Sequence, residues 1–208
     1  MLPGVIQRSC IVIHYKRMSA WPDFLVWKLR GSPRPKVPHL VKQRTVREYA
    51  RRFNLPVLIE TGTQFGQMVS AMKNHFRAIF SIELDEANYG LAVSNFARYK
   101  HIHILRGDSA EQLPILLQSI AEPCLFWLDG HSDKTPILDE LRAVFAHNSY
   151  EHVILIDDAH CFGSSRHYPT LETVRALTAE LRPAAIVESR DNMIRIHLPA
   201  PQNYAFAG

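Results

Sequence analysis

From residue 57 onward, hydrophobic and polar positions follow a repeated order of strand, turn and helix. Short apolar runs end at a turn, and each turn is followed by a segment of helical composition. Repeated βα units with apolar strands predict a parallel sheet that helices cover on both faces. The predicted strands are 57–60, 78–83, 102–105, 124–129 and 153–158, and the predicted helices are 67–73, 86–99, 111–119, 137–146 and 171–181.

The two ends of the chain complete this prediction. Residues 185–188 and 193–197 are short β-prone runs on either side of a polar turn, and they predict a hairpin that closes the sheet. Thr45 and Glu48 have the spacing of a capping box, so a helix is expected over 45–53. We therefore expect an N-terminal arm at 1–44 and one α/β domain at 45–208.

Composition places this domain in a familiar class. The 208 residues suffice for one α/β domain with a full core, and 47% hydrophobic with 21% charged residues is typical of globular proteins. No apolar run approaches the roughly 20 residues that span a bilayer, so no transmembrane segment is expected. The three cysteines lie far apart and form no CxxC pair, which favours a reducing, cytoplasmic setting.

Charge is distributed unevenly between the arm and the rest of the chain. Up to Arg52, twelve lysines and arginines face two acidic residues, whereas the remainder has twelve against eighteen. This asymmetry predicts that the arm meets nucleic acid, an anionic surface or the acidic domain itself, although a solvated basic face is the simpler alternative. The aromatic stretch at 19–29 could lie in a membrane interface, bind a partner or mediate a homodimer, but packing back on the domain is the preferred interpretation.

Carboxylates recur at the ends of the predicted strands. Parallel strands bring their carboxyl ends to one edge of the sheet, where open α/β folds bind ligands. One such acid could cap a helix, but a row of anions at one edge costs electrostatic energy unless a ligand or cation uses it. These acids are Glu60, Glu83, Asp108, Asp129, Asp157 and Asp158.

The turn after the first strand predicts a nucleoside ligand. Gly62 and Gly66 let the backbone approach a ligand closely, and the acid Glu83 follows Gly62 by 21 residues, the place of a ribose-binding acid. Asp108 suits an adenine amino group. No complete phosphate-binding glycine motif is present, and Glu60 would repel a pyrophosphate. An adenosine cofactor with a cationic amine and no phosphate, S-adenosylmethionine, therefore fits best.

The motifs ETGTQFG, SIELDE, GDSAEQLP, FWLDGH and LIDDAH resemble the class I S-adenosylmethionine-dependent methyltransferases over residues 45–198, most of all small bacterial members. The resemblance implies a Rossmann-like, doubly wound sheet of seven strands, mostly parallel with an antiparallel last strand. Gln64 replaces the middle glycine of the usual family turn. The cofactor residues implied are Glu60, Thr61, Gly62, Thr63, Gly66, Glu83, Leu84, Asp108, Ser109 and Asp129, with Glu60 and the Gly62 turn at the methionine moiety.

A second resemblance concerns a metal. Asp129, Asp157 and Asp158 are similar to the magnesium ligands of metal-dependent O-methyltransferases, and hard oxygen ligands suit Mg²⁺. The alternative is that Asp129 contacts the cofactor while Asp157 or Asp158 caps the next segment. His131 and His160 follow these acids by two residues, so Asp129, His131 and His160 are the catalytic candidates, either histidine as a general base.

The expected function is methyl transfer to an oxygen or nitrogen of a small molecule or glycan-like metabolite. Two other functions stay open at this point. One is a nicotinamide-dependent oxidoreductase, which the missing phosphate fingerprint disfavours. The other is a nucleic-acid- or surface-binding protein that acts through its basic arm.

Overall fold

The computed structural model describes residues 24–31, 37–130, 135–147, 151–164 and 166–199. Seven strands form one sheet: β1 (Val57–Thr61), β2 (Ala78–Glu83), β3 (Ile102–Arg106), β4 (Cys124–Leu128), β5 (Val153–Ile156), β6 (Ile186–Arg190) and β7 (Met193–His197). Their spatial order is β3-β2-β1-β4-β5-β7-β6. Strands β1 to β5 pair in parallel, whereas β7 runs antiparallel to both of its neighbours. The predicted seven-stranded, doubly wound α/β fold is thus confirmed.

Six helices cover the sheet: α1 (His39–Arg52), α2 (Gln67–Met72), α3 (Glu86–Phe96), α4 (Ser109–Leu117), α5 (Ile137–Ala146) and α6 (Leu171–Leu181). A short 3₁₀ turn spans Ala159–Cys161. The first three helices pack on one face of the sheet and the last three on the other. Successive residues of a strand point to opposite faces, so Leu58 joins one core and Ile59 the other. All five residues of β1 and of β4 are consequently buried, which explains their continuous apolar sequence.

Helix α1 begins earlier than the sequence pattern predicts. It starts at His39, directly after Pro38, and therefore crosses the boundary expected between residues 44 and 45. Thr45 does not cap it, because the Thr45 hydroxyl donates to the Val41 carbonyl one turn earlier at 3.1 Å. A threonine can satisfy its hydroxyl in this way inside a helix, so the capping-box spacing was misleading here.

The arm lies mostly outside the described residues. Residues 24–29 are helical, and Phe24 is buried with the Arg44 guanidinium 4.6 Å from its ring centroid. Contacts of the arm with nucleic acid, an anionic surface or a second copy therefore stay predictions. Within the described part of the chain, no helix combines the length and the apolar composition that crossing a membrane requires.

Candidate active site

A cavity of about 740 Å³ opens where strands β1 to β4 end at their carboxyl edge. Its walls are formed by residues 62 and 64, 82–86, 106–109 and 129–130, together with Asn88, Pro136 and Asp158. Parallel strands β1 to β4 are adjacent in the sheet, so the loops that follow them converge on one volume. Of the ten predicted cofactor residues, Gly62, Glu83, Leu84, Asp108, Ser109 and Asp129 line this cavity.

The cavity is strongly acidic. Among the described lining residues, Arg106 is the one basic side chain, and its Nη1 already donates to Glu86 Oε1 at 3.1 Å. Such a lining attracts a cation and repels a pyrophosphate. The acidic lining residues are Glu83, Asp85, Glu86, Asp108, Asp129 and Asp158.

Gly62 lies in the loop after β1 and packs directly against the loop after β4. Its φ is +83°, and a Cβ at this position would lie 2.6 Å from the Asp129 carbonyl oxygen. Its N–H donates to the Ile82 carbonyl at 2.9 Å. Only glycine combines this backbone conformation with so close an approach, because any other residue would carry a Cβ into the neighbouring backbone.

Gln64, the residue that departs from the family turn, adopts a φ of +47°. This is the left-handed conformation for which a glycine is usual, and a non-glycine residue tolerates it at a cost of roughly 1 kcal/mol. The backbone N–H of Gln64 donates to Glu83 Oε2 at 2.6 Å, while the N–H of Asp85 donates to Oε1 at 2.9 Å. Glu83 thus holds the glycine turn against the end of β2, which stabilises the turn without the middle glycine.

Glu60 lies behind this turn instead of in the cavity wall. It is only 2% exposed, and Ser81 Oγ donates to its carboxylate. Burial raises the pKa of Glu60 to about 8, and the nearby Asp129 and Glu83 charges add to the rise. Thr63 Oγ1 lies 2.6 Å from Ser81 Oγ, so the buried Thr63 belongs to the same hydrogen-bonded group. Thr61 and Gly66 are also buried and do not line the cavity.

Asp108 both caps a helix and lines the cavity. Its Oδ1 accepts the backbone N–H of Ala110 at 2.9 Å, so it is the N-cap of α4. It also lines the cavity next to Ser109. Asp85 does the same for α3, where its Oδ1 accepts the N–H of Asn88 at 2.8 Å. Helix capping therefore accounts for the presence of Asp85 and Asp108 at this edge, but not for the other acids that line the cavity.

Asp129, Asp157 and Asp158 are close enough for their charges to act on one another, but they have a basic partner. The ammonium group of Lys42 on α1 donates to Asp157 Oδ2 and lies 4.0 Å from Asp158 Oδ1. Burial raises the pKa of Asp129 to about 8, an effect that the Asp157 charge increases and the Lys42 charge opposes. Burial lowers the pKa of Lys42, but the charges of Asp157, Asp129 and Asp158 and the hydrogen bond to Asp157 together outweigh this and raise it above its ordinary value.

The contacts of the three aspartates do not match the predicted magnesium site. Among the described residues, no group of three or more His, Cys, Asp or Glu side chains is arranged to hold a metal ion. One oxygen of Asp157 is engaged by Lys42, and the ammonium charge would repel a divalent ion at the same carboxylates. The donor set as it stands therefore does not fit Mg²⁺.

His160 lies beside Asp158, with its Nδ1 3.9 Å from Asp158 Oδ1, but is not part of the cavity wall. Its Nδ1 is 3.0 Å from Asn192 Oδ1, and its backbone N–H donates to the same oxygen at 2.9 Å. Because the amide oxygen accepts, the proton of a neutral His160 lies on Nδ1, and the lone pair of Nε2 lies 3.6 Å from Cys161 Sγ. His131, the other candidate base, lies outside the described residues.

Three residues at this edge were missed by the sequence analysis. Lys42 was grouped with the basic arm, and Asn192 was regarded only as part of a hairpin turn. Glu140 carried a signal that could have been used, since it interrupts the apolar stripe of α5 and is 1% exposed. Burial raises its pKa to about 7, although the nearby hydroxyl groups of Ser109 and Thr61 oppose the rise.

Comparison with known proteins gives structural matches only, since no protein-family model and no curated protein matches the sequence. The O-methyltransferase TomG from Streptomyces achromogenes, solved with S-adenosylmethionine, is 15% identical with a TM-score of 0.59 over 88% of this chain and 90% of its own. An O-methyltransferase from Bacillus cereus, in complex with S-adenosylhomocysteine, is 14% identical with a TM-score of 0.60 over 88% and 91%.

A third similar structure is the methyltransferase PaMTH1 from Podospora anserina, bound to S-adenosylhomocysteine. It is 14% identical, with a TM-score of 0.58, and the match covers 96% of this chain and 98% of that one. At 14 to 15% identity, these matches show a shared fold and no more. The chain therefore has the fold of the class I S-adenosylmethionine-dependent methyltransferases, as its motifs predict.

Proposed function

We propose that this protein is an S-adenosylmethionine-dependent methyltransferase that acts on an oxygen or nitrogen nucleophile of a small molecule or glycan-like metabolite. The observation that carries the proposal is the acidic cavity at the carboxyl edge of the sheet. A cofactor that is cationic and carries no phosphate fits six acidic lining residues, whereas a dinucleotide would place its pyrophosphate among them. The same observation disfavours the oxidoreductase alternative.

The residues that would hold the cofactor follow from their places around the cavity. The backbone at Gly62 allows close approach beside Asp129, which suits the methionine end. Glu83 lies at the end of β2 and keeps lone pairs for ribose hydroxyls, while Asp108 and Ser109 border the next loop and suit the adenine. Glu60 acts from behind the turn, by stabilising its shape. When bound, S-adenosylmethionine supplies a methyl group on a positively charged sulfur.

Two described groups are proposed to serve the methyl acceptor. Asp129 lines the cavity and can orient the acceptor by a hydrogen bond. His160 has Nδ1 engaged by Asn192, so Nε2 is its proton acceptor, and an acceptor proton would reach it in place of the weak contact with Cys161 Sγ at 3.6 Å. Positioning the nucleophile in line with the methyl group would supply much of the rate enhancement. His131 stays a candidate base on sequence grounds alone.

The test is calorimetric titration of the full chain with S-adenosylmethionine and S-adenosylhomocysteine. We expect dissociation constants on the order of micromolar for both, and a loss of about tenfold or more for Glu83→Gln because a ribose acceptor and a turn contact weaken together. Glu172→Gln, which removes the same charge from an exposed position on α6, should bind like the native protein. Absence of binding, or equal affinity in Glu83→Gln, would refute the cofactor assignment.

A further inference from the structure

Lys42 is the residue of this site that the methyltransferase proposal leaves without a role. It lies on α1, a helix that precedes the sheet, and is separated by 115 positions from the aspartate that it contacts. Its side chain is 15% exposed and that of Asp157 only 1%, so the contact is largely shielded from water. Solvent therefore screens this pair less than it screens the exposed ion pairs at the protein surface.

The surroundings of the ammonium group are those of a bound cation. It donates to Asp157, lies 4.0 Å from Asp158, and the charge of Asp129 acts on it as well. Burial and crowding at the ends of two neighbouring strands raise the pKa of Asp129 and of Asp157, and a nearby positive charge opposes both rises. Lys42 supplies that charge from the protein itself.

A divalent metal ion and Lys42 would compete for this place. Mg²⁺ and Mn²⁺ require several oxygen ligands at short distances, and one Asp157 oxygen is already occupied by the ammonium group. A second cation close to the first would also be repelled. Either the lysine or the metal can satisfy the three carboxylates, but not both.

We propose that Lys42 is the built-in cation of this active site: it takes the place that a divalent metal would occupy beside Asp157 and Asp158, close to Asp129, so that methyl transfer needs no metal. The catalytic part of this inference rests on the proposed methyltransferase function. Its physical content is a competition between an ammonium group and a metal ion, which can be measured separately. Lys42 is a positioning residue, because it acts on Asp157 and Asp158 and through them on the acceptor.

Mn²⁺ is the probe, because electron paramagnetic resonance counts the free ion directly. The full chain is compared with Lys42→Met, which removes the charge at similar side-chain volume, and with Lys100→Met, which removes an exposed lysine elsewhere. We expect no binding at the site in the native protein or in Lys100→Met, and a gain in Mn²⁺ affinity of about tenfold or more in Lys42→Met. Adding Asp157→Asn to Lys42→Met should abolish the gain.

Two results would overturn the inference: an unchanged Mn²⁺ affinity in Lys42→Met, or native Mn²⁺ binding that Asp157→Asn alone removes. The second comparison does not use Lys42→Met, so it decides the matter even if that variant fails to fold. Calorimetry with S-adenosylmethionine on the same samples reports the proposed function independently. If the protein binds S-adenosylmethionine but Lys42→Met does not gain Mn²⁺ affinity, only the proposed role of Lys42 is refuted. If Lys42→Met gains Mn²⁺ affinity but the protein does not bind S-adenosylmethionine, only the cofactor assignment is refuted.

Discussion

At the scale of single residues, two glycines of this chain have opposite requirements. Gly62 has a φ of +83° and lies so close to the loop after β4 that a Cβ would meet the backbone of Asp129 and Gly130 below 3 Å. Gly90 lies in α3, is exposed, and has open space where a Cβ would be. The packing of the site requires a glycine at position 62, whereas the glycine at position 90 only weakens its helix.

The glycine pair gives a prediction with an internal control. Gly62→Ala should lower the free energy of unfolding by at least about 2 kcal/mol, because backbone strain and a backbone clash add together. Gly90→Ala should raise it by about 0.5 to 1 kcal/mol, since alanine is the better helix former. Urea denaturation of both variants measures these changes. Equal effects of the two substitutions would show that the close approach at Gly62 is not maintained in solution.

At the scale of elements, the β6–β7 hairpin supports the loop that follows β5. Asn192 in its turn has a φ of +59° and accepts the backbone N–H of Ala159 at its carbonyl oxygen. Its side chain accepts from His160 and donates to Asp158 at 3.2 Å. Asp158 itself has a φ of +52°, so the loop adopts an unfavourable conformation that the hairpin stabilises.

The substitution Asn192→Gly removes the side-chain contacts of Asn192 but keeps its left-handed backbone conformation. Glycine keeps the left-handed conformation but loses the amide, so we expect a loss of about 1 to 2 kcal/mol in the free energy of unfolding and faster hydrogen exchange in the loop at residues 158–161. Asn54→Gly is the matched control, because Asn54 also has a positive φ, 50°, at the end of α1. If the control loses as much stability as Asn192→Gly, the amide contacts do not hold the loop.

At the scale of the whole molecule, buried carboxyl groups accumulate at one edge of the sheet. Burial raises the pKa of Glu60 and Asp129 to about 8 and that of Glu140 to about 7. At the opposite edge, burial lowers the pKa of His152 to about 4. These groups make the stability of the fold depend on pH in opposite directions over different ranges.

The sign follows from the protons bound in each state. In the unfolded chain the carboxyl groups have lost their protons above about pH 5, whereas Glu60 keeps its proton in the folded state up to about pH 8. The folded state thus binds more protons, and stability falls as the pH rises. His152 opposes this only below about pH 6.5, where the unfolded chain takes up the extra proton.

We therefore expect the free energy of unfolding to decrease between pH 6.5 and 8, by up to about 1.4 kcal/mol per pH unit for each such group. Glu60→Gln should make this dependence shallower, because the amide does not titrate. Urea denaturation across this range measures the slope, with Glu172→Gln as the exposed control. A slope that is the same in Glu60→Gln and in the native protein would show that Glu60 ionises normally.

The fold and much of the cavity wall could be predicted from the sequence, and the reasons are local. Strand direction and side-chain alternation follow from short apolar runs, and the ends of parallel strands place Glu83, Asp108 and Asp129 at one edge. What failed was also local in origin: Thr45 was expected to begin a helix, but its hydroxyl is satisfied within the longer helix α1. A capping pattern cannot exclude that alternative, because both use the same hydroxyl.

The sequence by itself determined the α/β class, the glycine turn and the row of carboxylates, because periodicity and spacing are properties of neighbouring residues. Only the tertiary structure decided which distant residues meet that row. The contact of Lys42 with Asp157 and that of Asn192 with Asp158 depend on which helix covers which face and on β7 pairing beside β5. Such pairings are set by the packing of whole elements, which no single stretch of the chain specifies.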